Sequence, residues 1–170
     1  MEIIDLTDVV RSSEFVVFKG AIENGGSVRA INVKGGAKFS RKEIDSLVEF
    51  VKSYRAKGLA WLKYAENGDI SSSYAKFLTD AENEAIKSAV GLEAGDLVLI
   101  VADTKKNSVL SVLGALRQEV AKKLDIIPTD KFNLLWITEF PFFEWDEDSQ
   151  TFVAMHHPFT SPMDECLEYL

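Results

Sequence analysis

A chain of 170 residues, 46% apolar and 27% charged, has an ordinary globular balance and suits one domain plus an appendage, with roughly two-thirds of its unfolded surface open to burial. Its formal net charge of −8 repels phosphate backbones on average and argues against a stand-alone nucleic-acid binder, leaving room only for a local basic patch. The single Cys166 excludes an internal disulfide and fits a reducing cytoplasm, no apolar run reaches the ~18–20 residues of a membrane span, and Glu2, Asp5 and Asp8 leave no secretory signal at the start.

Phe15 to Ile22 is apolar enough for a strand, Asn24-Gly25-Gly26 supplies a turn, and Val28 to Val33 reads as the partner strand. Ser40-Arg41-Lys42-Glu43 has capping-box spacing, and Ile44, Leu47, Val48, Val51 and Tyr54 follow on one helical stripe, with Gly58 as the stop. Leu59 to Tyr64 is a strand turned by Asn67-Gly68. Thr79-Asp80-Ala81-Glu82 opens a second capped helix over about 80–90, ended by Gly91.

Leu97 to Ala102 is a continuous apolar run, so it is expected to be a central, covered strand. The last clear helix spans about 108–124, with Val109, Val112, Leu113, Leu116, Val120 and Leu124 on its apolar face. Pro128-Thr129-Asp130 then breaks the pattern. Beyond it, Phe132 to Thr138 reads as a strand, and two short strands around Asp146-Glu147-Asp148-Ser149 read as a hairpin. The order predicts an α+β fold: a two-layer sandwich of an antiparallel or mixed sheet with helices on one face.

Few residues announce chemistry. Lys34-Gly35-Gly36-Ala37-Lys38-Phe39-Ser40 precedes a helix but lacks phosphate-loop spacing, so it reads as a strand-to-helix turn. Asp146, Glu147 and Asp148 lack the alternation and glycine of a calcium loop, and a hairpin tip is expected. Phe140-Pro141-Phe142-Phe143-Glu144-Trp145 has no basic neighbours for base stacking, which favours strand packing. The two histidines, His156 and His157, stand side by side; with one distant cysteine they make no zinc set, and although an imidazole at a strand end is suited to donating to an anion, the residues alone read first as an exposed loop.

Phe132-Asn133-Leu134-Leu135-Trp136-Ile137-Thr138-Glu139-Phe140-Pro141-Phe142-Phe143-Glu144, followed by Ala154-Met155-His156-His157-Pro158-Phe159-Thr160-Ser161-Pro162, closely resembles the catalytic core of bacterial aspartyl-tRNA synthetases. Val28-Arg29-Ala30-Ile31-Asn32-Val33, Ser40-Arg41-Lys42-Glu43-Ile44-Asp45, Ala56-Lys57-Gly58-Leu59-Ala60, Ala75-Lys76-Phe77-Leu78 and Gly114-Ala115-Leu116-Arg117 resemble the insertion domain of the same enzymes. That domain is shared with the B subunit of the tRNA-dependent amidotransferase, which supplies the alternative reading of a non-catalytic interaction domain.

The resemblance implies an internal piece of such a synthetase: residues 1–13 a linker from the catalytic core, 14–128 the insertion domain, and 129–170 strands of the class II catalytic sheet. It implies a cytoplasmic, homodimeric parent that uses ATP, magnesium, aspartate and tRNA. The ATP-binding motifs of the family lie outside these residues, so the piece alone is expected to be inactive and to bind tRNA weakly or not at all. His156 matches the family residue that contacts the bound aspartate, with His157 beside it as a second candidate; catalytic and metal-binding residues are expected to be none. Two positions depart from the family pattern: Glu139 stands where aspartate is expected, and Ser73 where proline is expected.

Overall fold

A computed structural model describes residues 1–138, 141–146, 148–155 and 161–169. They form two compact units, Met1–Ile127 and Pro128–Leu170. The first is built on a five-stranded, wholly antiparallel sheet. Its strands are β1 (Ile4–Asp5), β2 (Ser27–Val33), β3 (Ala60–Tyr64), β4 (Ile70–Ser72) and β5 (Leu97–Asp103), in the spatial order β1-β2-β5-β3-β4. Strand β5 is central as expected, pairing with β2 through Ala30 opposite Ile100 and with β3 through Ala60 opposite the same residue.

Four helices cover the sheet: α1 (Val16–Glu23), α2 (Arg41–Ser53), α3 (Asp80–Ala89) and α4 (Lys106–Lys123). Strand side chains alternate between faces. Ile31, Val33, Leu97, Leu99 and Val101 pack with Ile44, Leu47 and Val51 of α2 and with Val109, Val112, Leu113, Leu116 and Val120 of α4. Val28, Ala30, Val98 and Ile100 point the other way, onto Phe18 and Ala21 of α1 and Ile86 of α3. The α+β, antiparallel architecture is as expected from the sequence. The helices on one face are α2 and α4; α1 and α3 form a further layer on the opposite face. A strand buried on both sides reads as an unbroken apolar run, which is why β5 was legible.

The segment expected to be a strand over 15–22 is helix α1. Phe18 and Ala21 recur at helical spacing and are buried, while Val16 and Val17 are exposed. Both edges of β2 are already taken, by β1 and β5, so no ladder is open to it. The stretch 1–13, expected as a linker, supplies edge strand β1 and places Leu6 and Val10 fully in the core. Helix α2 ends at Ser53, capped by Tyr54 and followed by Arg55 in the left-handed region (φ 66), three residues before the glycine expected to stop it.

In the second unit, β6 (Phe143–Asp146) and β7 (Thr151–Ala154) form the expected antiparallel hairpin, with Phe143 opposite Ala154. Residues 132–138 are not a strand. Phe132, Leu134 and Trp136 are each 93% exposed, and among the described residues nothing pairs with this backbone; an extended segment is a strand only when a neighbour satisfies its amides and carbonyls.

Candidate functional site

The hairpin that leads to the histidine pair is well defined. Trp145 and Phe152 meet edge-to-face at 5.1 Å, and Phe142 and Phe143 do the same at 4.7 Å. The Met155 amide donates to the Phe142 carbonyl at 3.0 Å, which extends the pairing to the residue before His156. His156 and His157, the aspartate-contact candidates, lie outside the described residues, as does Glu139.

Asp146 is occupied structurally. Its carboxylate accepts the Ser149 hydroxyl at 2.7 Å and the Asp148 amide at 3.0 Å, and these bonds hold its pKa below the usual carboxylate range. That is a hairpin tip, as expected. Among the described residues no three His, Cys, Asp or Glu side chains converge. They offer no set that fits magnesium.

The glycine turn after β2 is built for packing. Gly35 adopts φ 68, and a Cβ on Gly36 would lie 2.8 Å from both the Leu97 Cβ and a Val33 methyl. The Lys34 ammonium is held by the Glu93 carboxylate at 2.8 Å, the Asp96 carboxylate at 2.9 Å and the Gly91 carbonyl at 3.0 Å. Bonds to Glu93 and then Asp96 raise its pKa. Lys34 is thus committed to acidic partners rather than to a phosphate, and the segment passes from β2 through a short 3-10 turn into α2, in agreement with its reading as a strand-to-helix turn.

Asp96 is the centre of a cluster that sequence reasoning missed. Its buried carboxylate accepts from Lys34, from the Asn32 amide at 3.0 Å and from the Glu93 backbone at 2.9 Å. Burial pushes this carboxyl up, but the bonds from Lys34, Asn32 and Glu93 outweigh it and hold the pKa low. The same Asn32 amide also donates to the Val90 and Gly91 carbonyls, tying the end of α3 to β2. The pairing of partners 58 to 64 positions apart left no local signal; Asn32, set between the apolar Ile31 and Val33 of β2, was the one clue.

Several of the segments that carry the resemblance turn out to be such ties. Arg29 reaches Asp5 at 2.6 Å, Ser40 and Glu43 close a capping box on α2, and Arg117 donates to the Met1 carbonyl at 3.1 Å. At Ser73 the backbone amide donates to the Trp61 carbonyl at 3.0 Å and the hydroxyl accepts the Trp61 amide at 2.9 Å. A proline could make neither bond, so serine gives this loop its own link to β3.

The GAD domain family matches residues 18–113. The aspartate–tRNA ligase of Ruminiclostridium cellulolyticum is 55% identical over 170 residues, all of this chain and 28% of that protein. The aspartate–tRNA ligases of Clostridium botulinum Eklund 17B and Hall are 54% and 55% identical, again over the whole chain and 28% of their own length. The chain thus spans a little over a quarter of the relatives it matches.

Proposed function

Because the chain belongs to the GAD domain family, we propose that it serves as the insertion-domain region of an aspartate–tRNA ligase, the parent reaction being ATP-dependent attachment of aspartate to tRNA. The observation that carries this is a match of 55% identity that covers all 170 residues, well past the family match that ends at 113. An insertion domain in an unrelated subunit would give likeness over its own span and lose it after Pro128. That favours the ligase over the amidotransferase-type interaction domain.

In this reading residues 14–128 are the insertion domain, residues 129–170 belong to the class II catalytic sheet, and residues 1–13 lead in from that core while packing on the inserted sheet. The exposed Phe132, Leu134 and Trp136 are then strand residues whose partners belong to the rest of the parent. His156 donates to the carboxylate of bound aspartate, with His157 beside it. ATP, magnesium and tRNA engage the parent, a cytoplasmic homodimer, through groups elsewhere in it. The 170 residues alone align no ATP against aspartate, and alignment is a large share of such catalysis.

Two measurements test this. The purified chain should give no aspartate-dependent ATP–pyrophosphate exchange above a buffer control. In a ligase carrying this segment, His156→Ala should raise the KM for aspartate about tenfold or more, the scale of a lost bond to a charged group. An unchanged KM would remove His156 from the aspartate site.

A further inference from the structure

A cleft of about 480 Å³ opens between α1 and the sheet on the face opposite α2 and α4. Its size is in the range of small-molecule sites. It exists because its walls are small: Gly20 and Ala21 on the helix, Gly58 and Ala60 at the start of β3, Ala102 on β5. A Cβ added at Gly20 or at Gly58 would meet nothing within 4 Å. Neither glycine is required there by a close approach or by a left-handed backbone.

Tyr74 lines this cleft and is 1% exposed. Its ring tilts against Phe18 at 6.1 Å, but its hydroxyl finds no hydrogen-bond partner among the described residues. Among the described residues the fully enclosed unpartnered polar atoms are on Ser27, Arg29, Asn32 and Asn83, so the Tyr74 hydroxyl keeps some access to the cleft. Burial raises its pKa, so at neutral pH it is a donor. The charges around the opening are unequal in commitment. Asp103 already accepts the Thr104 hydroxyl at 3.3 Å and the Lys105 amide at 3.0 Å. Lys57, exposed at the rim, makes no ion pair or hydrogen bond with any described residue.

We propose that this cleft is a binding site for a small aromatic anion, its ring against Gly20, Ala60 and Ala102, its polar group accepting from the Tyr74 hydroxyl, and its negative charge facing Lys57. The small apolar walls supply the affinity, while the Tyr74 hydroxyl and the Lys57 ammonium, neither of them bonded to a described residue, fix orientation and sign of charge. The inference is independent of the ligase reading, since it rests on residues of the first unit alone.

The test is an amide-resolved NMR titration of the full chain with 1-naphthoate, with 1-naphthalenemethanol as the uncharged control. Saturable shifts are expected at Gly20, Ala21, Gly58, Tyr74 and Thr104. Lys57→Gln, an exposed change that leaves the fold alone, should weaken naphthoate about fivefold, as should Tyr74→Phe, the scale of one hydrogen bond. Gly20→Leu, which places a better helix former into open space, should abolish binding with amides outside the cleft unmoved. Shifts confined to residues 128–137, equal binding of the alcohol, or undiminished binding by Gly20→Leu would each overturn the proposal.

Discussion

Gly26 and Gly36 stand in turns, yet neither is there for a left-handed backbone. A Cβ at Gly26 would run into the Asp103 carbonyl and Thr104 Cα, and at Gly36 into Val33 and Leu97. Gly26→Ala should therefore cost about 2–3 kcal/mol in urea unfolding, since the obstruction is backbone and cannot swing aside. At Gly25, where φ is 75 and nothing lies within 4 Å, the cost should be smaller and purely conformational. Asp96→Ala should destabilise by about 2 kcal/mol, because it removes a buried carboxylate that accepts from the Asn32 amide, the Lys34 ammonium and the Glu93 backbone at once. The pH dependence has a definite sign. The folded pKa of Asp96 is depressed, so its contribution is present above the unfolded carboxylate value, about 3.9, and is lost as pH falls through the lower folded value. Acid unfolding curves of Asp96→Asn should be shallower below about pH 4 than those of the parent chain; identical slopes would show that the carboxylate carries no such linkage.

The capping boxes at Ser40–Glu43 and Thr79–Glu82 are both formed, with the Ser40 and Thr79 amides each donating to the glutamate at 2.7 Å. Ser40→Ala or Thr79→Ala should each lower stability by about 1 kcal/mol. These helices were legible because their start signals are local, and β5 because burial on both faces leaves an unbroken apolar run. Helix α1 was not legible. Its eight residues are too few to separate a period of 3.6 from one of 2, and what excludes a strand there is the occupation of both edges of β2 by partners elsewhere in the chain. The Asp96 cluster was hidden for the same reason, its members being brought together only by the sheet register. The site residues were the reverse case. His156 and His157 were picked out from sequence by resemblance, and Lys57 and Tyr74 only by the space around them. Residues 132–138 carry strand chemistry without a strand, because pairing is a property of two segments.

At the scale of the whole chain, the two units differ in what holds them. The first has a sheet with apolar cores on both faces; the second has a two-stranded hairpin whose aromatic side chains stay largely exposed. An isolated hairpin of this kind is marginally stable in water. Amide hydrogen exchange should find β5 and the middle of α4 far slower than the β6–β7 amides, and equal protection would contradict this division. No helix among the described residues is long and apolar enough to cross a membrane. The net charge of −8 predicts tRNA binding by the chain no tighter than the non-specific range of about 10⁻⁴–10⁻⁶ M at physiological salt; sub-micromolar, sequence-selective binding in a gel-shift titration would contradict it. The central claim, that these residues are the working insertion-domain region of an aspartate–tRNA ligase, is tested most directly by exchange. The 170 residues should replace their counterpart in the Ruminiclostridium cellulolyticum ligase, and aspartyl-tRNA formation by the chimera should be measured. The account predicts a folded chimera that charges tRNA with aspartate within about tenfold of the parent rate, or 1.4 kcal/mol of barrier. A chimera that folds like the parent yet forms no aspartyl-tRNA would contradict it.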